Sequence, residues 1–468
     1  MSDRLIAAAL VALVLVVRAP FAAQTLWAWD SVLYARALEE GFHVGTDLAE
    51  QRPHPPGYVF FVVVASALRL LTRDSNAALV AVSVIASALT VAAVYLLCRR
   101  YADGRLATVI ALGAAFSPLA WTYGEIAMPY ALLALLSVVL AVSLRDARTR
   151  PWPAALVASA ALGLAAGFRQ DLLLLLGPLW LWMLATRSWR ECALCVVAVG
   201  IAALAWFVPS AALSGGLSAY LASLGGQATR VSELSPAAGS DALLRNTLLT
   251  VYALFWGLLG FAVLLIAGIV ASRRRWRPTE DVAFFGLWLV PAGLVYVTIH
   301  IGDPGYLMSV LPAVYVACAA SLVPIAAKAP RAVPALAASL VGLNVAVFVV
   351  SDAPFSANAI ASHDRSLDAR VAFVRGHMAP DSTLILAQSE YLTARYYLPD
   401  YRVLFYGSQP EVLSHAAKEV RITAPATVVV FGALATPLPS TVSLTTDVAP
   451  SGVVQGATAL VAYDLEPR

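Results

Sequence analysis

The sequence predicts a polytopic α-helical membrane protein followed by one globular tail. Three observations carry this. Of 468 residues, 60% are hydrophobic and only 13% charged. Apolar runs long enough to cross a bilayer recur from Leu5 to Val350, and from about residue 352 onward charges and turn residues spread evenly through the chain. So much apolar surface exceeds what a water-soluble core of this length can hide.

A span needs ~20 apolar residues at ~1.5 Å each to cross ~30 Å of hydrocarbon. The runs predict spans near 5–23, 77–98, 106–121, 128–144, 152–168, 171–186, 190–213, 246–271, 281–300, 305–325 and 332–350, about eleven in all. The first, LIAAALVALVLVV after Arg4 with Ala22 and Ala23 beyond it, has the look of a cleaved signal. It reads better as a retained span, because the many spans that follow need an anchored orientation. Segment 57–72 comes after a proline pair and ends in RLLTRD. If it does not cross, the basic connections all lie on one side: Arg4; Arg99, Arg100 and Arg105; Arg145, Arg148 and Arg150; Arg187 and Arg190; RRRWR at 273–277; and Lys328 with Arg331. If it crosses, all but Arg4 move to the other. The tendency of positive loops to stay inside selects the first arrangement. Segment 57–72 is then an interfacial or re-entrant helix, the N-terminus is cytoplasmic, and the tail lies outside the cytoplasmic (inner) membrane. The expected division is a membrane domain over 1–351, with external loops at 24–76 and 214–245, and an extracytoplasmic domain over 352–468.

The four cysteines, Cys98, Cys192, Cys195 and Cys318, lie in or beside apolar runs, so no disulfide framework or CxxC metal pair is expected. RRRWR reads as a topogenic loop. No phosphate-cradling glycine loop, nucleophile elbow or nucleic-acid motif occurs.

With this parity the polar features gather on the external side. They are Asp30 and the loop to Pro56; Glu125 in WTYGEIAMPY; Arg169 and Asp171 in GFRQDLLLLLGP; the loop 214–245; His300, Asp303 and Tyr306 in HIGDPGYLMSVLP; and the tail. An acid at such a mouth can take a proton from a hydroxyl, while arginine, histidine and tyrosine can hold the phosphate of a lipid-linked leaving group. A departing phosphate in a low-dielectric rim is costly without a cation.

WDSVLYARAL followed by HPPGY, CRRYADGR, SPLAWTYGE and GFRQDLLLLLGPLW resembles the order of features in GT-C fold membrane glycosyltransferases. Within that fold it looks like the protein O-mannosyltransferase and aminoarabinose-transferase superfamily and its bacterial members. The resemblance covers roughly residues 1–325. It implies that Asp30 is the catalytic base, that Glu125 stands near the donor sugar or acceptor, and that His54, Pro55 and Pro56 lead into a helix lying along the membrane. It also implies a small external α/β domain for the tail, in line with STLILAQ, RVLFYG and ATVVVFG. Two departures put a protein acceptor in doubt: Asp30 is followed by Ser31 rather than a second acid, and no inserted β-trefoil-type domain interrupts the chain.

Each residue also has a plainer reading. Asp30 is placed to cap a helix beginning at Ser31, and Glu125 to sit in a first helical turn facing the dipole. His54 suits an exposed turn; with His43 and Asp47 it matches no known ligand spacing. Arg169 with Asp171 suits an interfacial pair, Asp303 and Gly305 an ordinary turn, and Trp27, Trp29, Trp121 and Tyr123 an aromatic belt. A lipid-linked sugar flippase or transporter would line a path with buried charges and show inverted repeats, and neither is seen. A surface polysaccharide polymerase or ligase stays open.

The expectation is therefore transfer of a sugar from a polyprenyl-phosphate donor to a glycan, lipid or protein hydroxyl, amid membrane lipids and without nucleic acid. Asp30 and Glu125 are the catalytic candidates; His54, Arg169, Asp171, His300 and Tyr306 are the binding candidates. No cofactor is expected, and a divalent metal is left open.

Overall fold

The computed structural model describes residues 2–405, apart from 48, 238 and 273–279, together with 426–432, 453–454 and 458–459. The basic run at 273–277 lies outside the described residues. The membrane part runs α1 (Asp3–Arg18), α2 (Trp29–Glu40), α3 (Val59–Thr72), α4 (Ser75–Cys98), α5 (Gly104–Ala115), α6 (Pro118–Tyr123), α7 (Tyr130–Thr149), α8 (Trp152–Ala165), α9 (Asp171–Leu184), α10 (Trp189–Leu213), α11 (Leu217–Glu233), α12 (Ser240–Leu258), α13 (Phe261–Ser272), α14 (Glu280–Thr298), α15 (Leu311–Lys328) and α16 (Ala332–Val350).

Local chemistry explains where these begin. Asp74 accepts from the Ala77 N–H at 2.7 Å and Asp103 from that of Leu106 at 2.9 Å, so each satisfies an orphan donor of the first turn. At the start of α10, Ser188 and Glu191 form a reciprocal capping box. At the α8–α10 contact, a Cβ on Gly163 would meet the Val199 carbonyl and the Ala202 methyl. Only glycine lets these two helices approach so closely, which is how helices associate in lipid.

Every expected span falls on a helix or a pair of helices, but among the described residues seven helices are long and apolar enough to cross, or eight if a bent pair counts as one. Four further apolar helices, α3, α5, α8 and α9, are shorter, so the exact count of eleven is not confirmed by length and composition. The 246–271 run is not one rod: α12 and α13 meet at 94°, with Leu259 in a positive-φ turn. The 106–121 run breaks where Ser117 caps α6 and Pro118 occupies its first position. Helix α3, 14 residues or roughly 21 Å long, is too short to cross.

One end of the bundle gathers the basic connections. Arg99 pairs with Asp3 at 2.9 Å, Arg100 with Asp146 at 2.5 Å, Arg145 with Asp281 at 2.5 Å, and Arg148 with Glu280 at 3.5 Å. Arg187 donates to the Ala147 and Arg150 carbonyls. The sequence grouped these arginines by counting alone, and the fold brings them together.

Beyond α16 the chain forms α17 (Ala357–His377), β1 (Thr383–Ala387), α18 (Tyr391–Tyr397), β2 (Arg402–Phe405), β3 (Ala426–Phe431), β4 (Val453–Val454) and β5 (Thr458–Ala459). β1 is central and parallel to both β2 and β3; β4 and β5 pair antiparallel with β3. The three apolar β motifs picked out in the sequence are β1, β2 and β3. Leu367 and Val371 of α17, Ile385 of β1 and Leu392 of α18 share one apolar cluster with Val32 and Leu33 of α2 and Phe61 of α3. The tail is thus packed onto the first loop.

Candidate active site

At the end of the bundle away from the arginine cluster, the α1–α4, α6–α7, α8–α9 and α14–α15 connections converge. Ala28 is the N-cap of α2, and its N–H donates to Ser31 Oγ at 3.3 Å, so the helix starts before Asp30 and Asp30 does not cap it. The Asp30 carboxylate is about one-third exposed, and His54 Nε2 stands 3.6 Å away. His54 is held by a 2.6 Å contact between its Nδ1 and the Pro55 carbonyl, and by the edge of Tyr58 at 5.1 Å between ring centres. The HPPG turn is forced close: Gly57 has φ +117°, and a side chain there would strike Phe42 and Val44. Among the described residues, no three His, Cys, Asp or Glu side chains are placed to share a metal ion.

Arg169, at the α8–α9 turn, is buried. Its Nε bonds Asp171 at 2.8 Å, and its guanidinium lies 4.4 Å from the centre of the Tyr306 ring, 4.9 Å from that of Tyr130 and 5.8 Å from that of Tyr58. Three aromatic faces and one carboxylate hold the cation rigidly. Beside it opens a cavity of about 210 Å³ lined by His54, Arg169, Gln170, Asp171, His300 and Tyr306, with Gln227 and Val231 of α11 closing one side.

In the α14–α15 connection, Asp303 Oδ1 accepts from the Gly305 N–H at 2.7 Å, which is the expected turn, and also from the Tyr123 hydroxyl. Burial raises its carboxyl above the usual range. Burial, followed by the Arg245 charge, lowers the His300 imidazole.

Glu125 lies apart from this group. Its carboxyl is fully buried, Oε1 accepts from Trp121 Nε1 at 2.9 Å, and Oε2 has no partner. Burial pushes it up to about 8 against the opposing pull of Arg18 and the Trp121 bond. It lines no part of the cavity. Trp121 is no belt residue; it is buried and stacked on Phe348 at 4.0 Å. Trp27 packs on His363 of the tail.

The structure therefore brings together Asp30, His54, Arg169, Asp171, His300 and Tyr306, and leaves Glu125 behind Trp121. It adds Tyr58, Tyr130 and Gln170. Tyr58 directly follows HPPG, and Gln170 sits between the two charged residues already singled out, so both were within reach of the sequence; Tyr130 opens an apolar run and carried no signal.

The model of the dolichyl-phosphate-mannose-protein mannosyltransferase family matches residues 53–212, about a third of the chain. No curated protein sequence matches. The chain superposes on ArnT from Cupriavidus metallidurans bound to undecaprenyl phosphate with TM-score 0.61 and 14% identity, covering 97% of this chain and 98% of that one. On the apo state of the same protein the values are 0.57, 16%, 98% and 97%. The chain is a multi-pass membrane protein with the GT-C glycosyltransferase fold.

Proposed function

We propose that the protein transfers a sugar from a polyprenyl monophosphate to a hydroxyl acceptor at the outer face of the membrane. The observation that carries this reading is the convergence on one cavity wall of His54, the 3.6 Å partner of Asp30, and the caged Arg169. Asp30 takes the acceptor proton. The acceptor oxygen bonds the anomeric carbon while that carbon's bond to the phosphate oxygen breaks, and the electron pair leaves on the polyprenyl phosphate. Arg169, with His300 and Tyr306, stabilises that anion; the stabilisation is strong because the Arg169 cation is buried. His54 orients Asp30, and α3 forms the wall along which the lipid enters. Glu125 acts indirectly, holding Trp121 and, through its carbonyl to the Ala23 N–H at 2.9 Å, the approach to α2. That a protein of similar fold holds undecaprenyl phosphate supports a lipid monophosphate as carrier.

The test is turnover of labelled polyprenyl-phosphate sugars by the purified chain in detergent, with envelope extract as acceptor. Asp30→Asn should lower turnover by about 10²- to 10⁴-fold, the usual contribution of a positioned base, without loosening binding of the bare lipid phosphate. Equal turnover by the variant would remove Asp30 from the chemistry, and a wild type that consumes no donor would remove the reading.

A further inference from the structure

At the arginine end of the bundle, far from the chemistry above, α5 packs against both α1 and α16. Where the three helices meet, an open groove of about 880 Å³ remains, walled by Ile6 of α1, Arg105 and Val109 of α5, and Pro330, Pro334 and Ala335 around the start of α16. Charge is shared unevenly at this end. Arg99, Arg100, Arg145 and Arg148 each face an acid. The side chains of Arg105 and of Arg4, Lys328 and Arg331, which flank the groove in the chain, are exposed and make no ion pair or hydrogen bond among the described residues. We infer that this groove binds one anionic phospholipid, independently of the transferase reading. Arg105 holds its phosphate, with Arg4, Lys328 and Arg331 around it, and its acyl chains lie on the apolar walls.

Charge, apolarity and size select that occupant. The four cations outweigh the one acid of the lining, Asp103, whose Oδ1 accepts from the Leu106 N–H at 2.9 Å. Cations crowded beside hydrocarbon repel one another, and lysine or arginine at a membrane surface is drawn to anionic lipid. A zwitterionic lipid would set its own ammonium among them. A free phosphate would meet the charges but leave the apolar walls bare to water. Those walls belong to helices that go on to present Leu5 and Val16 of α1 and Leu336 and Leu343 of α16 outward, all exposed and suited to chains lying alongside. The volume falls within the ~300–1,000 Å³ of pockets for drug-sized ligands, enough for a headgroup and the first stretch of its chains and far more than a bare ion fills.

The experiment is native mass spectrometry of the purified, delipidated full chain in detergent, titrated with phosphatidylglycerol, phosphatidylethanolamine or glycerol 3-phosphate. It compares wild type with Arg105→Gln, with Ala335→Trp, which fills the groove without altering charge, and with Arg190→Gln, an exposed arginine at the same end but outside the groove. Thermal midpoints are recorded for each. The first phosphatidylglycerol should bind wild type about fivefold or more tighter than phosphatidylethanolamine. Arg105→Gln should lose about fivefold of that affinity, the effect of one basic side chain near anionic lipid. Ala335→Trp should lose it too, and Arg190→Gln should keep it. Equal binding of the two lipids, or equal losses in Arg105→Gln and Arg190→Gln, would reduce the groove to general surface charge and overturn the site. Full phosphatidylglycerol affinity in Ala335→Trp would also overturn it. Displacement of the lipid by an equal concentration of glycerol 3-phosphate would give the groove to a soluble anion instead. If Arg105→Gln lowers the midpoint without lipid, Ala335→Trp decides.

Discussion

Glu125 shows how a single carboxyl can be recognised from sequence and yet have its surroundings missed. Its position after WTYG marked it as an acid near a membrane surface; its burial behind Trp121 depends on Phe348, more than two hundred residues away, and no local pattern reports that. The consequence is a pH dependence. A carboxyl held at about 8 when folded and near 4.5 when unfolded binds its proton more tightly in the native state. The stability it lends is fully present below pH ~4.5 and is lost as pH rises through about 8. Thermal unfolding in detergent at pH 6 and pH 9 should show the wild type losing stability over that interval and Glu125→Gln losing measurably less; identical losses would mean that folding does not raise the carboxyl's affinity for its proton. Asp30, His54 and Arg169 were legible because charge in a greasy chain is rare and expensive. Gln170, an uncharged amide, was within reach only through its place between Arg169 and Asp171.

At the scale of elements, hydrophobic runs located the helices well and their breaks poorly. Ser117-Pro118 is a readable helix start inside what looked like one span, whereas the bend after Leu258 depends on a positive-φ turn at Leu259, a residue that gives no warning of one. The junction between tail and membrane part was equally hidden. Asp364 of α17 accepts from the Gln24 N–H at 2.9 Å, the Thr25 N–H at 2.9 Å and the Thr25 hydroxyl at 2.6 Å, and the Leu26 N–H donates to the Tyr397 hydroxyl at 2.9 Å. These bonds fasten the three residues that lead into Trp27 and then α2. Replacing Asp364 with alanine strands those donors, a loss of about 1–3 kcal/mol per buried group left bare. Hydrogen exchange at residues 24–27 should quicken at least tenfold in that variant while α4 and α7 are unchanged; unaltered exchange would mean that the tail does not secure the loop.

For the whole molecule, counting arginines on alternate connections foretold which ends of the helices would meet. The fold satisfies the count with ion pairs between Arg99 and Asp3, Arg100 and Asp146, and Arg145 and Asp281. If positive connections stay inside, an exposed cysteine on α17 faces out. Ala369→Cys on spheroplasts should react with a membrane-impermeant maleimide, while Ser2→Cys reacts only after lysis. The opposite labelling would invert the topology and with it the side on which the chemistry occurs.

The docking of the tail on the first loop also bears on biosynthesis. Gln24 and Asp364 are 340 residues apart in the chain, and at ~5–20 residues per second the ribosome takes roughly 17–70 s to make that stretch. Through that interval the membrane helices can insert one after another, while the segment leading to Asp30 waits for its clamp. The bonds that hold this segment therefore form only after Asp364 has been translated, so a chain truncated before α17 would insert without them.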